Sequence, residues 1–160
     1  MVVSLLYFPP PAAEIGIAMK PIALASDHAG YELKTVLAGE LEAAGYTVLD
    51  LGTDGPESVD YPDYGHALAA AISEGRVERG VAVCGTGIGI SIALNRHPGV
   101  RAALCHDDTS ARLAREHNDA NVLALGARLI GSEVAKDCLK VFLDTEFAEG
   151  RHVGRVAKLG

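Results

Sequence analysis

Residues 81–96 read VAVCGTGIGISIALNR, a sequence that combines a strand pattern, a glycine-rich turn and a helix pattern. Val81–Cys84 is short and apolar, which is typical of a buried strand. Three glycines follow within five residues, and the spacing of the apolar residues in 88–96 indicates a short helix. A buried strand that turns through glycines into a helix is the first half of a strand–helix–strand unit. Such units build parallel sheets.

The same alternation runs on both sides of this stretch. The predicted strands are residues 22–25, 46–51, 81–84, 100–105 and 122–125, and the predicted helices are residues 31–44, 62–75, 88–96, 108–117 and 132–147. Five strands separated by helices predict an α/β fold with a single doubly wound five-stranded parallel sheet and helices on both faces. We expect the strand order 2-1-3-4-5.

Composition limits the classes of partner. The chain has 160 residues, 49% of them apolar, which suits one domain with a sizeable core. The net charge of −7 argues against nucleic-acid and anionic-membrane partners, because both require a basic face. An anionic small molecule remains open, since a few arginines suffice for one phosphate. The three cysteines form no CxxC pair, so we expect neither a disulfide framework nor a zinc site. Reduced cysteines are typical of a reducing compartment, and we therefore expect a cytoplasmic location.

The first 18 residues differ from the rest of the chain. No Lys or Arg precedes their apolar run, and Pro9–Pro11 interrupt it, which argues against a secretory signal. No stretch approaches the roughly 18 apolar residues of a membrane span. We interpret residues 1–18 as a non-core N-terminal extension and residues 19–160 as the functional domain. A docked extra strand is the alternative for the extension.

Ligands of such sheets bind beyond the carboxyl ends of the strands, where two loops should meet. In the glycine loop, Cys84 ends a strand at a helix N-terminus, a setting that favours the thiolate. Cys105 and Cys138 lack this setting and are interpreted as small core residues. The other loop carries Asp27 and His28. A tight turn, a helix N-cap for Asp27 and a surface histidine are the structural alternatives.

Two further polar groups lie later in the chain. His117 and Asn118 close the fourth helix, where a C-cap is the structural alternative. Arg151, His152 and Arg155 form a basic cluster in an acidic protein, and Arg151 and Arg155 share one face if the tail is helical. This cluster is either a solvated tail or a phosphate clamp, which Arg128 would join.

Five segments, taken in order, resemble one known family. They are SDHAG (26–30), DYPDYG (60–65), CGTGIGISIALN (84–95), REHNDANVLALGAR (115–128) and EGRHVGRV (149–156). They resemble type B ribose-5-phosphate isomerases, a group that also includes galactose-6-phosphate and allose-6-phosphate isomerases. The similarity runs from about residue 19 to residue 156.

The resemblance implies a flavodoxin-like homodimer without metal or cofactor that interconverts ribose 5-phosphate and ribulose 5-phosphate through an enediolate. It implies that Cys84 moves the proton, that Thr86 and the loop amides hold the oxyanion, and that His117 assists ring opening. One branch of the family uses a Glu after the loop instead of the Cys; Ile90 stands there, so the Cys branch fits. The substrate contacts that it implies are Asp27, His28, Tyr61, Gly85, Gly87, Ile88, Gly89, Asn118, Arg128, Arg151 and Arg155.

Topology adds an expectation about assembly. Cys84 lies at the carboxyl end of its strand, whereas His117 lies at the far end of a helix that spans roughly 15 Å. If both serve one site, His117 comes from a partner chain across a two-fold axis. A dimer and a tetramer remain open. The competing functions are a hexose-6-phosphate isomerase, a non-catalytic domain that binds nucleotides or sugar phosphates, and a thiol-redox protein.

Overall fold

The computed structural model describes residues 19–160, so the predicted extension lies outside the described residues. Five parallel strands form one sheet. They are β1 (Ile22–Ser26), β2 (Val48–Asp50), β3 (Arg79–Cys84), β4 (Ala102–Leu104) and β5 (Val122–Gly126). Strands β1 and β5 are buried along their whole length, as expected for apolar runs with helices on both sides. The predicted α/β class with a parallel sheet is confirmed.

Helices cover both faces of the sheet. They are α1 (Tyr31–Ala43), α2 (Tyr61–Ser73), α3 (Ile88–Leu94), α4 (Asp108–Asn118), α5 (Ser132–Asp144) and α6 (Arg151–Ala157), and a 3-10 turn spans His28–Gly30. One core holds side chains of α1, α4 and α5, and the other holds side chains of α2 and α3. Cys105 and Cys138 are free and buried in the first core, which confirms their interpretation as core residues.

The strand order is β2-β1-β3-β5-β4, so the expected order 2-1-3-4-5 is wrong. The fully buried β5 lies beside β3, and β4, with three half-buried residues, takes the edge. An edge strand exposes unpaired backbone N–H and C=O groups that can pair with another chain, and a short edge strand limits their number. Here the side-chain amide of Asn95 covers Ala102: it donates to the carbonyl oxygen at 2.9 Å and accepts from the amide at 2.8 Å.

This order determines which loops meet. Ser26 of β1 is in register with Val83, and Cys84 of β3 is in register with Gly126 of β5. The segments after β1, β3 and β5 therefore lie side by side at the carboxyl edge of the sheet. No helix within residues 19–160 is long and apolar enough to cross a membrane. The cytoplasmic location stays a prediction.

Candidate active site

Cys84 is the last residue of β3 and is only 4% exposed. Its Sγ accepts a hydrogen bond from the backbone N–H of Gly87 at 3.1 Å. Gly87 has φ +76°, and a Cβ there would lie 2.5 Å from Cδ1 of Leu104, so only glycine fits. The glycine turn thus directs an N–H at the sulfur.

Thr86 is the exposed member of the same loop. Its Oγ1 accepts from the backbone N–H of Ile88 at 3.2 Å, so its own O–H proton is available to donate to a ligand. The amides of Gly87 and Ile88 are therefore engaged within the loop. An oxyanion bound here would be held by the Thr86 hydroxyl and the remaining loop amides.

Asp27 and His28 lie in the turn that follows β1. Oδ1 of Asp27 accepts from the backbone N–H of Gly30 at 3.1 Å, so the capping alternative for Asp27 is confirmed. The Nδ1 atom of His28 accepts from the backbone N–H of Val59 at 3.2 Å. Both side chains are thus oriented by backbone groups of neighbouring segments.

A cleft of about 200 Å³ brings most of the predicted residues together. A cleft of about 520 Å³ beside Arg79 and one of about 370 Å³ beside Asn118 are larger, so size does not single this cleft out. The lining side chains distinguish this cleft from the others, because they combine a cysteine at a helix N-terminus with a carboxylate, an imidazole and a guanidinium. The lining residues are Asp27, His28, Ala29, Tyr61, Cys84, Gly85, Thr86, Gly89 and Arg128.

The structure places Arg128 beside Cys84, apart from the arginines of the tail. The amide of Ala127 donates to the Cys84 carbonyl and that of Arg128 to the Gly85 carbonyl, both at 2.9 Å. This follows from the position of β5 next to β3. Within one chain Arg128 therefore lies with the Cys84 loop, and a phosphate site that it shares with Arg151 and Arg155 stays a prediction. Tyr61 covers the other side, with Cζ 2.6 Å from where a Cβ of Gly89 would stand.

The remaining predicted residues form a second group at the opposite edge of the sheet. Helix α4 starts after the carboxyl end of β4 and ends near the amino end of β5, and it spans about 16 Å. Asn118, at its end, lines the separate 370 Å³ cleft. The rings of His117 and His152 stack, with centroids 4.5 Å apart and planes 13° apart. His117 is thus separated from the Cys84 of its own chain.

The tail is helical, so Arg151 and Arg155 lie one turn apart on α6. Burial, followed by the nearby charges of His117, Arg151 and Arg155, lowers the pKa of His152. The two tail arginines form no ion pair within residues 19–160, which leaves them available to an anion. The arginines that do pair with carboxylates there are Arg76, Arg79, Arg101, Arg112 and Arg115.

Arg115 is a supporting residue that the sequence analysis missed. It is 4% exposed, and Nη1 donates to Oδ1 of Asp119 at 2.9 Å and to the Ala120 carbonyl at 2.6 Å. Its Nε donates to the Thr145 carbonyl at 3.2 Å. These bonds join the end of α4, where His117 lies, to the end of α5. The available signal was its spacing of four residues from the buried Ala111.

Among residues 19–160, no three His, Cys, Asp or Glu side chains cluster as a metal site would require.

The chain is similar to known sugar-phosphate isomerases along most of its length. Residues 22–159 match the family model described as Ribose/Galactose Isomerase. Ribose-5-phosphate isomerase B of Escherichia coli is 45% identical over 86% of this chain and 93% of its own length. The D-erythrulose-4-phosphate isomerase of Pectobacterium atrosepticum is also 45% identical, over 89% of this chain and 94% of its own.

A solved structure agrees with these relatives. Ribose-5-phosphate isomerase B of Clostridium thermocellum superposes with a TM-score of 0.87 and 52% sequence identity, covering 88% of this chain and 95% of that one. The family match, the sequence relatives and the shared fold all concern the region that carries both groups of residues. The chain therefore belongs to the ribose/galactose isomerase family, as an enzyme of the aldose–ketose isomerase class within its type B ribose-5-phosphate isomerase group.

Proposed function

We propose that this protein interconverts ribose 5-phosphate and ribulose 5-phosphate through an enediolate, with Cys84 as the base. The observation that carries the proposal is the 3.1 Å hydrogen bond from Gly87 to Cys84 Sγ at the wall of the cleft. A thiolate stabilised in this way can accept a proton from a carbon next to a carbonyl. The names of the relatives supply the substrate class.

In this mechanism Cys84 takes the proton from C2 of the open-chain aldose and returns it to C1. The proton of the C2 hydroxyl passes to O1, so that the aldehyde becomes an alcohol and C2 becomes the carbonyl carbon. The carbonyl oxygen becomes negatively charged as the proton leaves, and the Thr86 hydroxyl and the unengaged loop amides stabilise that charge. Loss of one such donor typically lowers the rate by about 10²–10³. Asp27 and His28 contact sugar oxygens or the phosphate, and Tyr61 closes the side of the cleft.

The second group serves ring opening and phosphate binding. His117 assists opening of the furanose ring as a general acid–base, and Asn118 binds the sugar. Arg151 and Arg155 bind the phosphate, because their planar guanidinium groups suit its oxygens and are not neutralised by a carboxylate within residues 19–160. Arg128 supplies a third cation from the Cys84 side.

Because the two groups lie at opposite edges of one chain, we infer that the site is composite and that the protein is a homodimer. Each site combines the Cys84 loop of one chain with the His117 and α6 residues of the other. Exposed apolar side chains beside the cleft support such an interface: Tyr61 is 41%, Ile88 is 49% and Ile92 is 51% exposed. Apolar side chains grouped like this are typical of surfaces that a partner covers.

The activity assay also tests the length of the substrate. The purified protein would be incubated, without added metal or cofactor, with ribose 5-phosphate, D-erythrulose 4-phosphate, allose 6-phosphate and galactose 6-phosphate in parallel. We expect ribose 5-phosphate to be converted to its ketose with the highest kcat/KM. Faster conversion of the four-carbon or a six-carbon sugar phosphate would change the substrate that we assign but leave the reaction class, aldose–ketose isomerisation, in place. Binding of all four without conversion would overturn catalysis in favour of a binding domain.

A further inference from the structure

Lys34 is a buried lysine near the His28 turn, and it takes no part in the proposed chemistry. It lies one turn into α1 and is 2% exposed. Its Nζ donates to both carboxylate oxygens of Asp50, at 2.6 and 2.8 Å, and to the carbonyl oxygen of Thr53 at 2.9 Å. All three donors of the ammonium group are thus satisfied. Lysine is rarely buried this completely, because removing the charge from water is costly.

The partners of Lys34 belong to the segment that leaves β2. Oδ1 of Asp50 also accepts from the backbone N–H of Gly52 at 2.9 Å. The Thr53 amide donates to the carbonyl oxygen of Ser26 at 2.6 Å, and the Ser26 amide donates to the carbonyl oxygen of Gly52. The pairing of β1 with its neighbour therefore continues past the end of β2, up to the residue before Asp27.

The same segment then reaches the cleft. It runs on from Thr53 to Val59, whose backbone N–H donates to Nδ1 of His28. A neutral imidazole that accepts at Nδ1 carries its proton on Nε2, which makes Nε2–H a donor for a ligand in the cleft that His28 lines. A displacement of about 1 Å would lengthen the bond from Val59 beyond hydrogen-bonding distance and release the ring.

We propose that the Lys34–Asp50 pair is a positioning device of the active site. It fixes residues 50–53 against β1, and through Val59 it sets the tautomer and the orientation of His28. Its effect on substrate binding rests on the proposed function, in which His28 contacts the sugar phosphate. Its effect on the tautomer and orientation of the His28 imidazole does not depend on the proposed function.

Lys34→Met tests the device, since methionine retains an unbranched side chain of similar length and removes the ammonium group. Asp50, whose side chain is 50% exposed, can then be solvated. We expect the nitrogen-15 shifts of His28, assigned by comparison with His28→Gln, to change from one Nε2–H tautomer to a mixture. We expect KM for ribose 5-phosphate to rise about 10-fold, the equivalent of roughly one hydrogen bond, with kcat within about 3-fold.

Lys136→Met is the matched control. Lys136 also pairs with two carboxylates, one of them Glu40 of α1, but it lies away from the cleft. Its substitution should leave the His28 shifts and KM unchanged. Asp50→Asn is the second test variant; it keeps an acceptor for Gly52 and weakens the bond to Lys34, and it decides the matter if Lys34→Met does not fold.

The nitrogen shifts separate this inference from the proposed function, because they need no substrate. A single unchanged Nε2–H tautomer and an unchanged KM in the folded variants, with only a lower melting temperature, would overturn the inference and leave Lys34 as a stabilising residue. A protein without isomerase activity whose His28 shifts still respond to Lys34→Met would overturn the proposed function alone.

Discussion

The two groups of site residues are built differently. Cys84 is 4% exposed and is held by backbone hydrogen bonds at the adjoining ends of β3 and β5, whereas α6, which carries Arg151 and Arg155, has no buried residue. The group proposed to transfer the proton is thus held within one chain, whereas the group proposed to bind phosphate lies on the surface of the opposite edge. The difference supports the proposal that folding sets the reactive geometry and that a second chain supplies the charged groups.

Substitution at the rigid group should have the largest effect. Cys84→Ala removes the only group proposed to move the proton, and we expect kcat to fall by at least about 10³ while ribose 5-phosphate still binds. Steady-state kinetics and calorimetric titration measure the two quantities. Cys105→Ala is the control, because Cys105 is buried in the core, and its activity should be retained. Near-normal turnover by Cys84→Ala would show that another group is the base.

Substitution at the exposed group should act on binding. For Arg151→Ala we expect KM to rise about 10–100-fold with a small change in kcat, since a charge-assisted bond to phosphate is made equally in the ground and transition states. Arg112→Ala is the control, as Arg112 is exposed on α4 and pairs with Glu116. If KM were unchanged and only kcat fell, the arginine would act in the chemical step and the division between the two groups would fail.

His152, which stacks on His117 in the exposed group, should make a small contribution to the loss of stability in acid. Burial and nearby positive charges lower the pKa of His152, so as the pH falls below its ordinary value of about 6.5 the unfolded chain binds a proton before the folded one. His152 therefore leaves the free energy of unfolding unchanged above about pH 6.5 and lowers it as the pH falls below that value. In urea titrations at fixed protein concentration, the wild type should lose more stability between pH 7 and pH 5 than His152→Gln. Equal losses would show that His152 does not contribute, and His106→Gln serves as the control.

The same contrast explains what the sequence could predict. The glycine loop and Cys84 could be predicted from the sequence because a strand, a turn and a helix are specified by neighbouring residues. The order of β4 and β5 depends on pairing between distant segments, and so does the position of Arg128 beside the Cys84 loop. Val134 lies four residues before the buried Cys138, a spacing that predicts an inward side chain, yet it is 39% exposed. Lys34 was missed because the partners that make its burial tolerable, Asp50 and Thr53, come from another segment of the chain. Arg115 was missed because its bond to the Thr145 carbonyl joins two helices that are distant in sequence.

Mixed dimers test whether each site combines Cys84 of one chain with His117 of the other. Cys84→Ala and His117→Asn, each inactive alone, would be unfolded together, refolded at equal concentration and assayed with ribose 5-phosphate. If each site takes Cys84 from one chain and His117 from the other, a mixed dimer has one intact site. Random pairing then restores about one quarter of wild-type activity. No recovery, with mixed dimers shown by mass spectrometry, would mean that both residues act within one chain and that the site is not composite.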